Sequence, residues 1–241
     1  CTKDLFDRCL PQDISATFTM DRYRPTFHWR DNFSVLEKEM PTDVSLYSAN
    51  LDRATLEGEI YTAQNGVAPM SQEIPLIATP DRFERSSFGV RKLLANGSGI
   101  VSGEIKLQPE NAYPEWQKDF FAQVTPFHVH AKIGEDSGLV WVTDLTTGKP
   151  VEGAEITVFE GALFGKDEKT KKNDLAASRT NGEGVATIPG SRLLLKHPAT
   201  PQKKPAVLVR KGQDTAYLLL DGSFTNFWAY RRTSNYIAEN N

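Results

Sequence analysis

The sequence predicts an all-β chain folded as two consecutive antiparallel β-sandwiches. Three observations carry that expectation. Apolar residues alternate with polar ones along short segments, the period-two signature of a strand with one face in a core. Fourteen prolines and seventeen glycines interrupt the 241 residues at short intervals, which suits many strands joined by turns. A chain of this length holds two domains of about 100–120 residues, and a polar stretch with two prolines, Leu107–Trp116, serves as linker. The division is therefore placed between residues 118 and 119.

Within residues 1–118, "ISATFTM" alternates Ile14, Ala16, Phe18 and Met20 with polar residues and reads as a half-buried strand. Pro25 in "RYRPTFHW" suits a sheet edge or a turn, because proline has no N–H for a ladder. "DVSLYSANLDRATLEGEIY" (Asp43–Tyr61) reads as strand, polar turn, strand, with Val44, Leu46 and Tyr47 as its apolar patch. In "FGVRKLLANGSGIVSGEIKL" (Phe88–Leu107), two strands flank the "NGSG" turn.

Residues 119–241 open on "DFFAQVTPFHVHAKIGEDSGLVWVTDL", where Phe127, Val129 and Ala131 share one face and His128, His130 and Lys132 the other. Trp141 and Val142 are expected in the core. "TTGKPVEGA" is a turn, with Gly148 available for positive φ and Pro150 fixing the exit. In "EITVF", Ile156 and Val158 point one way and Glu155, Thr157 and Phe159 the other. "TNGEGVATIP" is a turn and strand, and "PAVLVRKGQDTAYLLLD" (Pro205–Asp221) a hairpin around "KGQD". Two long stretches break the rhythm and read as loops: "GALFGKDEKTKKNDLAASR" and the basic "GSRLLLKHPATPQKKP". Near the end, Phe224, Phe227, Trp228 and Tyr230 cluster, either to contact a neighbouring domain or to pack back on their own sheet.

The composition excludes several function classes. Net charge is −3, so nothing global points to nucleic acid, and "KDEKTKK" mixes both signs. No run of 18 apolar residues occurs to span a membrane as a helix. The chain opens on the polar "CTKDLFDRCL", without a signal peptide, as a mature end or a boundary would. Cys1 and Cys9, the only cysteines, read as a candidate disulfide of an oxidising compartment, or Cys1 as a lipid-modified terminus. Zinc needs about four ligands and no histidine lies near them; a catalytic thiol needs an activating base that the sequence does not supply. His128 and His130 offer two imidazoles on one strand face, but no acidic residue or cysteine stands at ligand spacing, so they read as solvent-facing. His28 and His197 are solitary. "GSGIVSG" lacks the setting of a nucleophile elbow, and Glu155/Glu160 and Asp167/Glu168 read as solvated carboxylates rather than an acid pair. No phosphate-cradling Gly-x-x-x-x-Gly-Lys is present. No catalytic residue, metal ligand or cofactor is expected, and the chain reads as non-enzymatic.

"VWVTDLTTGKPVEGAEITVF" (Val140–Phe159), with "SRTNGEGVATIP" and "PAVLVRKGQDTAYLLLD", closely resembles a macroglobulin-like domain of bacterial alpha-2-macroglobulins, over about Phe120–Trp228. The "TGKPVEGA…TNGEGVA" chemistry also occurs in transthyretin-like and carboxypeptidase-regulatory-like sandwiches. Its combination with "VRKGQDTAYLLLD" and a preceding sandwich favours the macroglobulins. Residues 1–118 resemble the preceding domain more weakly, through "SATFTMDRYRPTFHW" and "PTDVSLYSANLDRATLEGEIY".

The resemblance implies macroglobulin-like, fibronectin-III-like sandwiches. It implies a non-catalytic segment of a large periplasmic inhibitor, anchored to the inner membrane, that traps target endopeptidases. Partners would be those proteases, neighbouring domains of the same chain and other envelope proteins. The bait and thioester are expected outside this chain. Cys9 does spell Cys-Leu-Pro-Gln, but without the Gly and Glu neighbours of the family's thioester motif. Arg22–Pro25 matches the family's Tyr-Arg-Pro-Gly-Glu stretch only loosely, so the chain is expected to be a fragment at or near the N-terminus. The alternative is a free-standing envelope module that binds carbohydrate or protein through the terminal aromatics and long loops. A third reading is a metal enzyme centred on His128 and His130.

Overall fold

The computed structural model describes residues 3, 5–9, 15–29, 32–110, 118–164, 172–194 and 205–220. They form two β-sandwiches in succession. The first packs a three-stranded sheet, in the order β1 (Thr26–Trp29), β3 (Asp43–Ala49), β6 (Glu84–Gly89), on a five-stranded one. The larger sheet runs β2 (Phe33–Glu37), β8 (Asp119–Thr125), β7 (Gly99–Gln108), β4 (Arg53–Thr62), β5 (Gly66–Ile74). Its pairings are antiparallel apart from β2 with β8, which is parallel.

Between these sheets lie Leu46, Leu56, Ile105 and Phe120, all buried. The Trp29 ring sits 5.3 Å from Phe120 and 6.2 Å from Phe88, ring centre to ring centre, within the range of favourable aromatic pairs. Gly58 and Gly103 stand opposite each other on β4 and β7. A Cβ at either would run into the neighbouring strand's backbone, so neither position tolerates a larger residue.

The second sandwich has a three-stranded sheet of β13 (Val185–Pro189), β10 (Ser137–Asp144) and β9 (Phe127–Ile133), in that order. Facing it are β12 (Asn173–Arg179), β11 (Glu155–Glu160), β14 (Pro205–Lys211) and β15 (Asp214–Leu219). Val140, Val142, Ile156, Val158, Val207 and Val209 fill the core between them. Each buried aliphatic side chain of this kind contributes about 1.5–3 kcal/mol before conformational entropy is subtracted.

The turn after β10 follows its sequence closely. Asp144 Oδ1 accepts from the Thr147 N–H at 2.7 Å and from the Thr147 hydroxyl at 2.8 Å, and Gly148 takes φ 68°. Those two bonds hold the Asp144 carboxyl below its ordinary value, the hydroxyl contributing most. Pro25 precedes β1, which is an edge strand. The 205–221 hairpin turns at Gly212, with φ 61°.

Several expectations are corrected. Residues 15–25 form no strand, and Phe18 and Met20 are 85% and 87% exposed. Alternation marks a face, but no sheet edge meets this one; Ile14 lies outside the described residues. The strands of Asp43–Tyr61 do form, but β3 and β4 belong to different sheets, so the polar turn is a crossing between layers. Val90–Leu93 is a 3₁₀ turn in place of a strand, with Val90 buried. The last seven residues of the first long loop, Asn173–Arg179, pair along β11 as β12. Ser191–Leu194 of the basic stretch is one helical turn.

The chain leaves the first sandwich later than residue 118. Leu107 and Gln108 continue β7, and β8 hydrogen-bonds along β7, so the crossing to the second sandwich comes between Thr125 and Phe127. Trp141 is 43% exposed, with its indole N–H donated to Glu183 O at 3.2 Å, because neighbouring strand residues face opposite ways and Val142 takes the core position.

Two outcomes follow for urea denaturation. Val142→Ala is expected to destabilise the second sandwich by about 2 kcal/mol, and Trp141→Ala by clearly less. Acidification is expected to weaken the Asp144 turn: its lowered carboxyl stabilises the fold above the unfolded value of 3.8 and loses that effect as pH falls through the folded value. Asp144→Asn should flatten this part of the melting-temperature profile.

Candidate functional site

The two sandwiches meet along an apolar seam, the most elaborately built feature outside the two cores. Strand register places Tyr61, Ile100 and Gln123 in one row across β4, β7 and β8. They face away from the first core, because Phe120, Ala122 and Val124 take the opposite face of β8. Opposite them stand Phe159 of β11 and Ala206 and Leu208 of β14, all buried, with Tyr217 and Leu219 of β15 beside them. Residues Pro205–Val209 are buried without interruption because both faces of β14 are covered: Val207 and Val209 by their own core, Ala206 and Leu208 by the seam. The Tyr217 ring bridges the two halves, 5.8 Å from Phe121 and 6.3 Å from Phe159.

Polar groups fix the seam's register. Gln123 is 7% exposed; its Nε2 donates to Tyr217 O at 2.9 Å while its Oε1 accepts from Tyr217 N–H at 2.8 Å. Since β15 is the last strand of its sheet, this side chain supplies one rung of a missing neighbour. The Thr215 N–H donates to Ser98 Oγ at 3.3 Å, both residues being fully buried. Lys38, just past β2, donates to Asp214 Oδ1 at 2.7 Å, with each side chain about three-quarters covered. Burial pushes the Tyr61 hydroxyl above its ordinary value, and the positive charge of Arg210 of the second sandwich, with a hydrogen bond to it, partly offsets this. Arg210 also lies 3.5 Å from Glu155 Oε2.

The other candidate positions are not brought together. His128 and His130 are both exposed on β9. Among the described residues no group of three or more His, Cys, Asp or Glu side chains converges as a metal site. Cys9 is disulfide-bonded and forms an isolated bridge with Lys3; Cys1 lies outside the described residues. Phe224, Phe227, Trp228 and Tyr230 also lie outside them. A groove of about 480 Å³ on the first sandwich is lined by charges of both signs, including Arg53, Glu57, Lys106 and Glu110. Within it Arg53 pairs with Glu73 at 3.2 Å and Lys106 with Glu104 at 2.9 Å.

Gln123 and Tyr217 carried no sequence signal. The seam's apolar half did leave one, in the unbroken "PAVLV" run and in Phe159 on the polar side of "EITVF".

Residues 124–231 match the family described as the bacterial alpha-2-macroglobulin MG3 domain. Over these residues the chain is similar to a bacterial alpha-2-macroglobulin domain. The match begins at the β8-to-β9 crossing, and the resemblance read from the sequence is borne out. Native Escherichia coli alpha-2-macroglobulin, solved over domains MG0-NIE-MG1, superposes with TM-score 0.57 at 12% identity, covering 91% of this chain and 71% of that one. The E. coli NIE-MG1 structure gives 0.53 at 11%, covering 84% and 99%. A mutant of Salmonella alpha-2-macroglobulin gives 0.53 at 12%, with 85% of this chain matching 12% of that one. At such identities the likeness is one of fold. Comparison with curated proteins gave no match.

Gln123→Ala is expected to remove both hydrogen bonds that this side chain makes to the Tyr217 backbone, costing about 1–3 kcal/mol. Calorimetry should then show two separated transitions where the intact seam gives one. Tyr61 predicts an alkaline limit. Its raised folded value means full stability below pH 10 and loss above, where the unfolded chain ionises first. Tyr61→Phe should melt less steeply with pH between 9 and about 11 than the parent.

Proposed function

We propose that this chain is a non-catalytic structural segment of a bacterial alpha-2-macroglobulin, a periplasmic inhibitor anchored to the inner membrane that traps endopeptidases. The match over residues 124–231 carries this reading. The seam supports it, because a segment that transmits a movement set off elsewhere must resist deformation between its own domains. Gln123, Ser98 and Lys38 tie the edge strand of one sandwich to the other at successive positions. The 12% share of the Salmonella chain also favours a much longer native polypeptide. On this reading the bait, and any thioester, belong to other parts of that polypeptide.

The test is the native polypeptide mixed with an endopeptidase. Its intact mass should be several times 26.9 kDa. Protease activity should fall on a folded protein substrate and persist on a short chromogenic peptide, since a trap excludes large substrates and admits small ones. A native mass near 26.9 kDa with no such loss would favour the free-standing envelope module instead.

A further inference from the structure

The seam does not stop where the second sandwich stops covering it. Its central row, Tyr61–Ile100–Gln123, continues in register to Val35 on β2, and the row holding Phe121 continues to Phe33. Their orientation is fixed by their neighbour: Leu36 packs against the first core, so Phe33 and Val35 project on the seam side. Yet Phe33 is 52% exposed and Val35 59% exposed, although Phe121 beside them packs on Tyr217. An aromatic and a β-branched side chain on an uncovered edge strand form an aggregation-prone surface that folded proteins normally cover.

We propose that β2 is the unfilled continuation of the seam, onto which a further β-sandwich of the same polypeptide packs an apolar sheet face. This rests on the reading of the chain as a segment of a longer protein. The occupant follows from continuity with the existing interface: the same sheet face already accepts a sandwich through side chains of β11, β14 and β15. The strip is one strand wide and bounded by Glu37 and Lys38, dimensions that fit the outward side chains of a sheet and not a lipid surface. A domain on the same chain needs only a small apolar contact, because linkage holds it at high local concentration.

The experiment uses the full native polypeptide carrying Val35→Cys, labelled with a small maleimide in the folded state and in denaturant. Cys9 is disulfide-bonded and does not compete. If a sandwich covers β2, folded labelling should be at least about 100-fold slower than unfolded labelling, reporting only rare opening. Phe33→Cys should behave alike. Labelling within a few-fold of the unfolded rate overturns the proposal, even in a polypeptide several times 26.9 kDa. Protection lost on dilution also overturns it, and assigns the strip to a second copy. A native mass near 26.9 kDa sinks the underlying reading, and is measured independently of the labelling rate.

Discussion

The structure depends on how the free edge of β15 is satisfied. An edge strand presents N–H and C=O groups on one side, and burying them without partners costs more than their hydrogen bonds gain. Here the edge is driven against the first sandwich by the apolar seam, so water cannot serve it fully. A glutamine carboxamide is a planar donor and acceptor with the geometry of a peptide group. Gln123 therefore completes one rung at Tyr217 without a strand being present. The Ser98 hydroxyl meets the next free position at Thr215, and the Lys38–Asp214 pair closes the end of the edge.

That constraint propagates through strands buried on both faces. In β8, Phe120, Ala122 and Val124 serve the first core while Phe121 and Gln123 serve the seam. In β14, Val207 and Val209 serve the second core while Ala206 and Leu208 serve the seam. Because side chains alternate with a strict period of two, a slip of one residue in either strand would place seam residues in a core and core residues in the seam. Seam and cores thus specify each other's register. The seam contains no converging nucleophile, base or metal ligand set among its described residues.

Local chemistry was read well where a few neighbouring residues decide the outcome. The Asp144–Pro150 turn needs only an Asx-type acceptor, a glycine and a proline, and all three stand within seven positions. The Pro205–Asp221 hairpin and the alternation of Phe127–Ile133 are similarly short-range. The failures share one physical cause. Ile14–Met20 alternates as a strand does, but a strand exists only when an edge pairs with it, and none does. Conversely, Asn173–Arg179 is polar and reads as loop, yet β11 offers it an edge. Trp141 looked like core because it is large and apolar, and parity gave that position to Val142.

By itself, then, the sequence determined the all-β class, two sandwiches, most turns and the likeness of the second domain to the bacterial alpha-2-macroglobulins. Each of these rests on periodicity, turn residues or motifs spanning a few dozen positions. Only the tertiary structure decided where the chain leaves the first sandwich, that β2 runs parallel to β8, and that Gln123 meets Tyr217. Gln123 and Tyr217 are 94 positions apart, and no local pattern encodes that approach. The apolar run in β14 shows that both its faces are covered, but not by what. The partner is fixed only once both sheets have formed and their outward faces are pressed together, because burial is a property of the assembled surfaces and not of any one strand.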